Sequence, residues 1–452
     1  MSKAKLGNEL SSGGLSELKK RLLFVLIGII VFRLGAYIPI PGISPDKMMQ
    51  FFHQDTNNSG KSFLGMFDLF SGGSFSRMTI FALSIMPYIS ASIIVQMYGA
   101  ISPKLIQLKK EGEAGRRKIN KYTRLGTLVL ATLQAFFIAM WLANSHIVSP
   151  SLANSLPYFY ILAMSSLVTG TMFLLWLGEQ MTERGIGNGI SLIIFSGIVA
   201  RFPSAISSLL AQKKGDFITI LVISLIILAV TLIVVFVERA QRRIQVKYAK
   251  RQQGRKMYAA QTSHLPLKIN MAGVIPPIFA QSILMFIGSI PRFLNMYGKD
   301  SHYPMWLQHL FSYLTLGSPA YMVIFAILII FFGFFYTALV FNPKETSDNL
   351  RSQGGYINGI RPGDKTADYI DSVMTRLTCI GVIYLALVSL LPMFLRLGFN
   401  VPFWFGGTSL LIVVVVLMDF IAQVQSHLLS SHYHSLMKKT KTKGSRGGLL
   451  RS

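Results

Sequence analysis

Long apolar runs separated by shorter polar segments dominate the chain as far as residue 423. A helix that crosses a bilayer needs about 20 mostly apolar residues, and each run approaches that length. The pattern therefore predicts ten transmembrane helices. The predicted spans lie near 22–38, 75–98, 125–143, 157–177, 186–202, 217–237, 271–290, 319–341, 373–395 and 403–423.

The composition agrees with a membrane protein and excludes a disordered chain, a fibrous repeat and an ordinary soluble enzyme. Of the 452 residues, 52% are apolar and only 14% are charged, whereas soluble domains carry about 25% charged residues. The first run follows Lys19, Lys20 and Arg21, as the apolar part of a signal peptide would. It lacks a small-residue cleavage site, so we expect it to be retained as the first span.

The basic residues are divided unevenly between the two sets of alternating loops. The chain has 44 Lys and Arg against 18 Asp and Glu, a net charge of +26. Counted across the ten spans, 34 basic residues fall on the side of both termini, and nine, including Arg77 and Arg201, fall on the other. Since basic segments stay in the cytoplasm, we expect cytoplasmic tails at 1–21 and 426–452.

Ten spans divide into five plus five, which predicts a first half at 22–210 and a second half at 211–425. Because five is odd, the two halves would have opposite orientations in the membrane. Inverted repeats of this kind are common in membrane transport proteins. No sequence repeat is visible, so this symmetry follows from the span count alone.

Two predicted cytoplasmic loops, 238–270 and 342–372, are longer than a connection between helices requires. Nine basic residues lie in the first loop, more than cytoplasmic retention of the flanking helices needs. Such a loop suits a polyanionic partner, RNA or an acidic protein. A solvated loop is the alternative, and the charges alone do not separate the two.

The first long loop has the pattern of a β-hairpin. Ile244, Val246 and Tyr248 alternate with polar residues, which is typical of a strand. A basic turn follows at 250–256, and a second short strand is predicted at 257–261. We therefore expect a basic-tipped hairpin that stands out from the membrane.

One apolar segment is too short to cross a bilayer. It covers 63–74, between the first two spans on the predicted non-cytoplasmic side. A segment of about ten apolar residues is re-entrant or interfacial. Gly72 and Gly73 supply a hinge in it, because glycine accepts backbone angles that other residues do not.

Signatures of hydrolytic, metal and nucleotide chemistry are missing from the sequence, and no cofactor is expected. The eight histidines form no His-Glu-x-x-His pattern, and the single cysteine, Cys379, excludes an internal disulfide. Ionisable residues are scarce within the spans, which argues against an ion-coupled carrier. A secondary transporter for a small solute and an intramembrane enzyme are the alternatives to a passive channel.

Six isoleucines lie near the middle of four predicted spans, in pairs one helical turn apart or singly. They are Ile85, Ile89, Ile190, Ile194, Ile278 and Ile412. A ring of branched apolar side chains could seal a pore against water and ions. Isoleucine is also abundant at lipid-facing and core positions, so periodicity alone does not favour the ring.

Five stretches resemble motifs of the SecY family, the channel-forming subunits of the bacterial protein translocon. They lie at 32–42, 81–94, 176–191, 238–268 and 341–363. The motifs are long and ordered, and they extend over nearly all spans and both long loops. The resemblance implies an all-α polytopic membrane protein with ten transmembrane helices in two inverted five-helix halves, arranged like a clamshell, with a plug helix.

The resemblance also implies a function. Such a channel passes unfolded secretory polypeptides across the bacterial inner membrane and releases transmembrane segments sideways into lipid, through a lateral gate that includes spans two and seven. A polypeptide cannot satisfy its backbone hydrogen bonds in lipid, so it needs an aqueous path. The energy would come from a partner motor, the ribosome or the membrane potential.

Roles of individual residues follow from the resemblance by position. The six isoleucines match the pore ring. The plug that closes the idle channel would comprise Phe63, Leu64, Gly65, Met66, Phe67, Asp68, Leu69, Phe70, Ser71, Gly72 and Gly73. The loop residues that bind the motor or the ribosome would be Lys250, Arg251, Arg255, Lys256 and Arg361. The implied partners are the small subunits SecE and SecG, the SecA ATPase, the ribosome with its nascent chain, SecDF, YidC, signal peptides and membrane lipids.

Overall fold

The structure is a computed structural model, and it divides into two compact units. Its described residues are 3–44, 47–48, 50, 68, 70–145, 148, 156–212, 217–248, 251–253, 256–258, 262–284, 287, 318–399 and 407–446. The first unit contains Met1–Ala91, Tyr122–Arg201 and Val416–Ser452, and the second contains Ser92–Lys121 and Phe202–Val415.

Helices make up most of the described chain. They are α1 (Lys3–Gly35), α2 (Met86–Ile101), α3 (Pro103–Lys110), α4 (Glu113–Asn144), α5 (Leu156–Arg184), α6 (Gly189–Gln212), α7 (Phe217–Arg239), α8 (Ile275–Leu284), α9 (Pro319–Val340), α10 (Pro343–Ser352), α11 (Asp364–Phe399) and α12 (Gly407–Arg446). Among the described residues, six helices are long and apolar enough to cross a bilayer. A seventh span results if α2 and α3, which meet at a bend of 97°, are counted as one.

The helix of the second predicted span begins later than the apolar pattern indicates. Residues 71–85 form turns, and α2 starts only at Met86. The backbone has a positive φ at two non-glycine residues of this region, Met78 (48°) and Ser84 (52°). Pro87 suits the first helical turn, where its missing N–H is not needed. The prediction of a helix from residue 75 is therefore wrong.

The irregular region before α2 packs between α1 and α5 in the first unit. The Phe81 ring lies over Gly35 and leaves no room for a Cβ atom there. The Ile80 carbonyl approaches Gly170 of α5 in the same way. The Ile80 N–H also donates to the Ile38 carbonyl at 3.1 Å. Gly35 and Gly170 thus leave room for Phe81 and Ile80, which lie in turns and not in a helix.

The two long loops share one β-sheet in the second unit. The strands are β1 (Gln241–Tyr248), β2 (Arg251–Gln253), β3 (Lys256–Tyr258), β4 (Thr262–Lys268) and β5 (Gly355–Ile357). β1 pairs antiparallel with β4 and β5, in the order β4-β1-β5. β2 and β3 form a separate antiparallel pair. The sheet therefore joins the loop after α7 to the loop after α9.

The predicted hairpin is correct in its first strand. Its second predicted strand, 257–261, overlaps β3, but β3 pairs with β2 and not with β1. Ile244 and Val246 are buried as the alternation predicts. Ile244 pairs with Leu265, so the partner of β1 is β4 and not 257–261. β4 contains Pro266, which an edge strand tolerates, and its exposed residues give little alternation. The sequence signal for this strand was therefore weak.

Candidate functional site

Asp68 lies fully buried in the first unit. Its carboxylate forms an ion pair with the guanidinium of Arg201 and accepts a hydrogen bond from the Ser76 N–H at 2.7 Å. Its main-chain carbonyl accepts bonds from the Gly73 N–H at 2.9 Å and from the Ser71 hydroxyl at 3.2 Å. A buried carboxylate is costly unless it is paired and hydrogen-bonded, and Asp68 has both kinds of partner.

Asp68 and residues 70–76 are called the turn segment below. Two arginines from different helices contact it. Arg201 of α6, with a side chain only 18% exposed, also donates to the Ser76 hydroxyl at 3.4 Å. Arg33 of α1 donates to the Gly72 carbonyl at 3.2 Å. The turn segment is therefore held by charged groups on both α1 and α6.

The turn segment also touches α6 backbone to backbone. Gly72 has φ +65°, and a Cβ atom added there would lie 2.8 Å from the Gly197 Cα. A Cβ atom added to Gly197 would lie 3.1 Å from the Phe70 carbonyl oxygen. A side chain at Gly72 would force the two elements to shift, whereas one at Gly197 would require Phe70 to move by only a few tenths of an ångström.

One face of α6 carries two of the predicted ring residues and both contacts with the turn segment. Ile190, Ile194, Gly197 and Arg201 follow one another at intervals of four, three and four residues, so they share a helix face. Ile194 is buried. Ile190 is half-buried, and its Cγ1 would lie 2.9 Å from a Cβ atom on Gly178 of α5.

The other four isoleucines of the predicted ring are all buried. Ile85 is the last turn residue before α2, and its carbonyl accepts the Ile89 N–H at 3.1 Å. Ile278 lies in α8, where its carbonyl accepts the Ser282 hydroxyl at 2.8 Å. Ile412 lies in α12 and is 2% exposed. Ile278 and Ile412 belong to the second unit and the other four to the first, and the ring itself stays a prediction.

Three of the predicted binding residues of the loops, Arg251, Lys256 and Arg361, lie on or beside the β-structure. Arg361 is exposed after β5, and its carbonyl accepts the Thr366 hydroxyl at 2.9 Å. Arg251 begins β2 and Lys256 begins β3. The remaining predicted loop and plug residues lie outside the described residues. These are Lys250, Arg255, Phe63, Leu64, Gly65, Met66, Phe67 and Leu69.

Two polar contacts were not found from the sequence. Arg201 was counted among loop charges, although it lies within α6 and reaches Asp68. Glu238, at the end of α7, accepts a bond of 2.6 Å from the side-chain amide of Asn270, just after β4. Both residues are buried, and they join the two ends of the first long loop. The sequence signal that could have indicated both contacts was a charged residue at the edge of an apolar run.

Within the described ranges, no three His, Cys, Asp or Glu side chains are grouped as metal ligands would be.

Similarity to known proteins identifies the family. The SecY family model matches residues 79–421, well over half of the chain. The chain belongs to the SecY family. It is 55% identical over 437 residues to the protein translocase subunit SecY of Escherichia coli strain K12, which covers 96% of this chain and 97% of that relative.

Solved structures with low sequence identity share the fold. One is a protein-conducting channel, with a TM-score of 0.66 and 18% identity over 92% of this chain and 93% of the other. A second is a SecY protein whose plug domain stabilises the closed state of the translocation channel and maintains a membrane seal. Its TM-score is 0.64, at 17% identity over 92% of this chain and 93% of the other.

These similarities confirm the family inferred from the five motifs, the fold class and the general function. This SecY-family protein is a helical, multi-pass protein of the bacterial inner membrane and the channel subunit of a protein translocase. The predicted ten-helix arrangement is consistent with the fold of the solved channels. Family membership excludes the two alternatives, a small-solute transporter and an intramembrane enzyme.

Proposed function

We propose that the six isoleucines and the plug at 63–73 seal the idle channel of this SecY-family protein. The observation that carries the proposal is the contact of Gly72 with Gly197, three residues beyond Ile194 on α6. A closing element has to touch the wall that lines the narrowest part of the path. A SecY protein of the same fold has a plug domain that maintains a membrane seal.

The chemistry of the seal suits a channel for many different polypeptides. Branched apolar side chains exclude water from a narrow constriction and block ions by dewetting. They make no hydrogen bonds that would hold one sequence in preference to another. A signal peptide or a transmembrane segment is apolar enough to leave through a lateral gate that includes the second and seventh spans.

The partners that supply energy would bind the cytoplasmic loops. The sheet β4-β1-β5 unites the two loops, and Arg361 is exposed beside it. We propose that this surface, with Lys250, Arg251, Arg255 and Lys256, binds the SecA motor or the ribosome. SecE and SecG would be the small subunits, and SecDF and YidC the accessory proteins. Both termini would be cytoplasmic, and the halves at 22–210 and 211–425 would be inverted repeats.

Site-specific photocrosslinking tests the polypeptide path. A photoreactive side chain is placed at Ile85 or at Ile278, and a secretory chain is stalled during its synthesis on ribosomes bound to membranes. The matched control is Ile327 of α9, which is 58% exposed in the described chain. We expect crosslinks from Ile85 and Ile278 to the stalled chain, dependent on its signal sequence, and none from Ile327.

The opposite result would locate the path elsewhere. If the stalled chain is engaged but crosslinks from neither Ile85 nor Ile278, these isoleucines are ordinary core residues. Equal crosslinking from Ile327 would mean that the reagent reports proximity to the membrane and not a central path.

A further inference from the structure

The ion pair between Asp68 and Arg201 is largely shielded from water. Such a contact is expected to be either intact or broken, without a partly separated state. Asp68 is 0% exposed and the Arg201 side chain 18% exposed. Two charges in such surroundings are tolerated because they neutralise each other, and loss of one partner leaves the other desolvated and unpaired. The turn segment can leave α6 only if both charges become hydrated.

The second arginine near the turn segment has a different role. Arg33 donates to the Gly72 carbonyl, which is neutral. The Asp68 carboxylate is bound instead by Arg201 and by the Ser76 N–H. The negative charge of the turn segment is therefore paired with a side chain of α6, while α1 contributes a hydrogen bond to the backbone of the segment.

Arg201 also lies on the helix face that carries Ile194, so its contact with Asp68 links the position of the turn segment to that face. It follows Gly197 by one helical turn, and Ile194 precedes Gly197 on the same face. The close approach of Gly72 to Gly197 fixes the distance between the turn segment and this face. A displaced turn segment would break the backbone contact and the ion pair together.

We infer that Arg201 is a positioning residue that holds the plug closed through Asp68 and sets how readily the channel opens. The inference depends on the proposed sealing role of this segment. Water that enters an opening channel raises the local dielectric constant and weakens the attraction between the two charges. Opening is therefore cooperative, since the first separation admits the water that favours further separation.

The test measures the resting ion conductance of planar bilayers that contain the complete translocase. The variants are Asp68→Asn, Arg201→Gln and the exchange Asp68→Arg with Arg201→Asp. Each single variant removes the opposite charge from the remaining member of the pair, and we expect the closed–open equilibrium to shift toward the open state by about 100-fold or more. The exchange restores an opposite pair and should return the conductance toward that of the wild type.

Arg77→Gln is the matched control. It removes the same charge in the same unit, but the Arg77 guanidinium lies 4.3 Å from the centre of the Tyr37 ring. Its resting conductance should equal that of the wild type. Translocation of a precursor with an intact signal sequence is measured in every variant, and its retention shows that the channel has folded.

Each result decides between the inference and its failure. Single variants that translocate the precursor and stay as tight as the wild type would overturn the role of Arg201 and leave the proposed seal standing. An exchange variant as leaky as the single variants would assign the seal to the hydrogen bonds of Asp68 and overturn the ion pair as its cause. A wild-type translocase that conducts ions at rest as freely as it does when precursor is added would overturn the proposed seal itself.

Discussion

Gly72 and Gly197 meet backbone to backbone, and a Cβ atom on Gly72 would lie only 2.8 Å from the Gly197 Cα. The contact joins a turn that precedes α2 to a helix far along the chain. It also requires glycine at residue 72 for a second reason, because the backbone there has φ +65°. The position of the turn segment is thus very sensitive to single side-chain additions.

Gly72→Ala should open the resting channel. A left-handed backbone conformation costs a residue with a side chain about 1–2 kcal/mol, and the added methyl group would collide with the backbone of α6. The turn segment would move away from Gly197, and resting ion conductance in planar bilayers should rise. Gly112→Ala is the control, since Gly112 has φ +70° but no atom within 4 Å of the added Cβ. Equal conductance in the two variants would mean that the collision with Gly197 does not open the channel.

The spans that the sequence predicted best are those with a uniform apolar pattern. The prediction at 319–341 agrees with α9 and that at 217–237 with α7, each within two residues. The prediction at 75–98 holds for 86–98, which lie in α2, and fails for 75–85, where the apolar residues have another role. They fill the space between α1 and α5 as turns, and the pairing of Ile80 with Ile38 that holds them there is a long-range contact.

The candidate site was predicted from the sequence only in part. Spacing placed Ile190 and Ile194 on one helix face, and the family resemblance predicted a plug at 63–73. The contact of Asp68 with Arg201 could not be predicted, because the two residues are far apart in the chain and the loop containing Asp68 has no periodic pattern. Strand β1 was found because one of its faces is buried, and β5 was missed because three residues carry too little pattern.

Asn270→Ala should destabilise the base of the first long loop. The Asn270 amide donates to Glu238 at 2.6 Å, and its carbonyl oxygen accepts the Gly273 N–H at 3.0 Å. Removal of the amide takes a partner from a buried carboxylate, which costs about 1–3 kcal/mol. Thermal unfolding in detergent should show a lower midpoint.

Asn349→Ala is the control for this change, because Asn349 is exposed on α10 in the same unit. Its unfolding midpoint should equal that of the wild type. If Asn270→Ala is equally stable, the bond to Glu238 contributes nothing to the fold of the loop.

Arg361→Glu should slow motor-driven translocation without unfolding the loop. The Arg361 side chain is exposed, and the hydrogen bond at this residue is made by its backbone carbonyl to Thr366. Reversal of the charge would repel an acidic partner surface while the local turn persists. The measurement is the rate of ATP-dependent precursor import into vesicles. Lys365→Glu, four residues later and 76% exposed, is the matched charge reversal and should have a smaller effect. Equal rates for Arg361→Glu and the wild type would remove Arg361 from the binding surface.

Ile278→Asn should increase ion leak through the idle channel. Ile278 is 9% exposed within its own unit, and an amide at a dewetted constriction would hold water that an isoleucine excludes. Ile278→Val keeps a branched apolar side chain and should leave the leak close to that of the wild type. Both variants are compared in planar bilayers, with precursor translocation as the measure of folding. A leak that stays unchanged in Ile278→Asn, while precursor still passes, would mean that Ile278 lies in ordinary core packing and does not contribute to the seal.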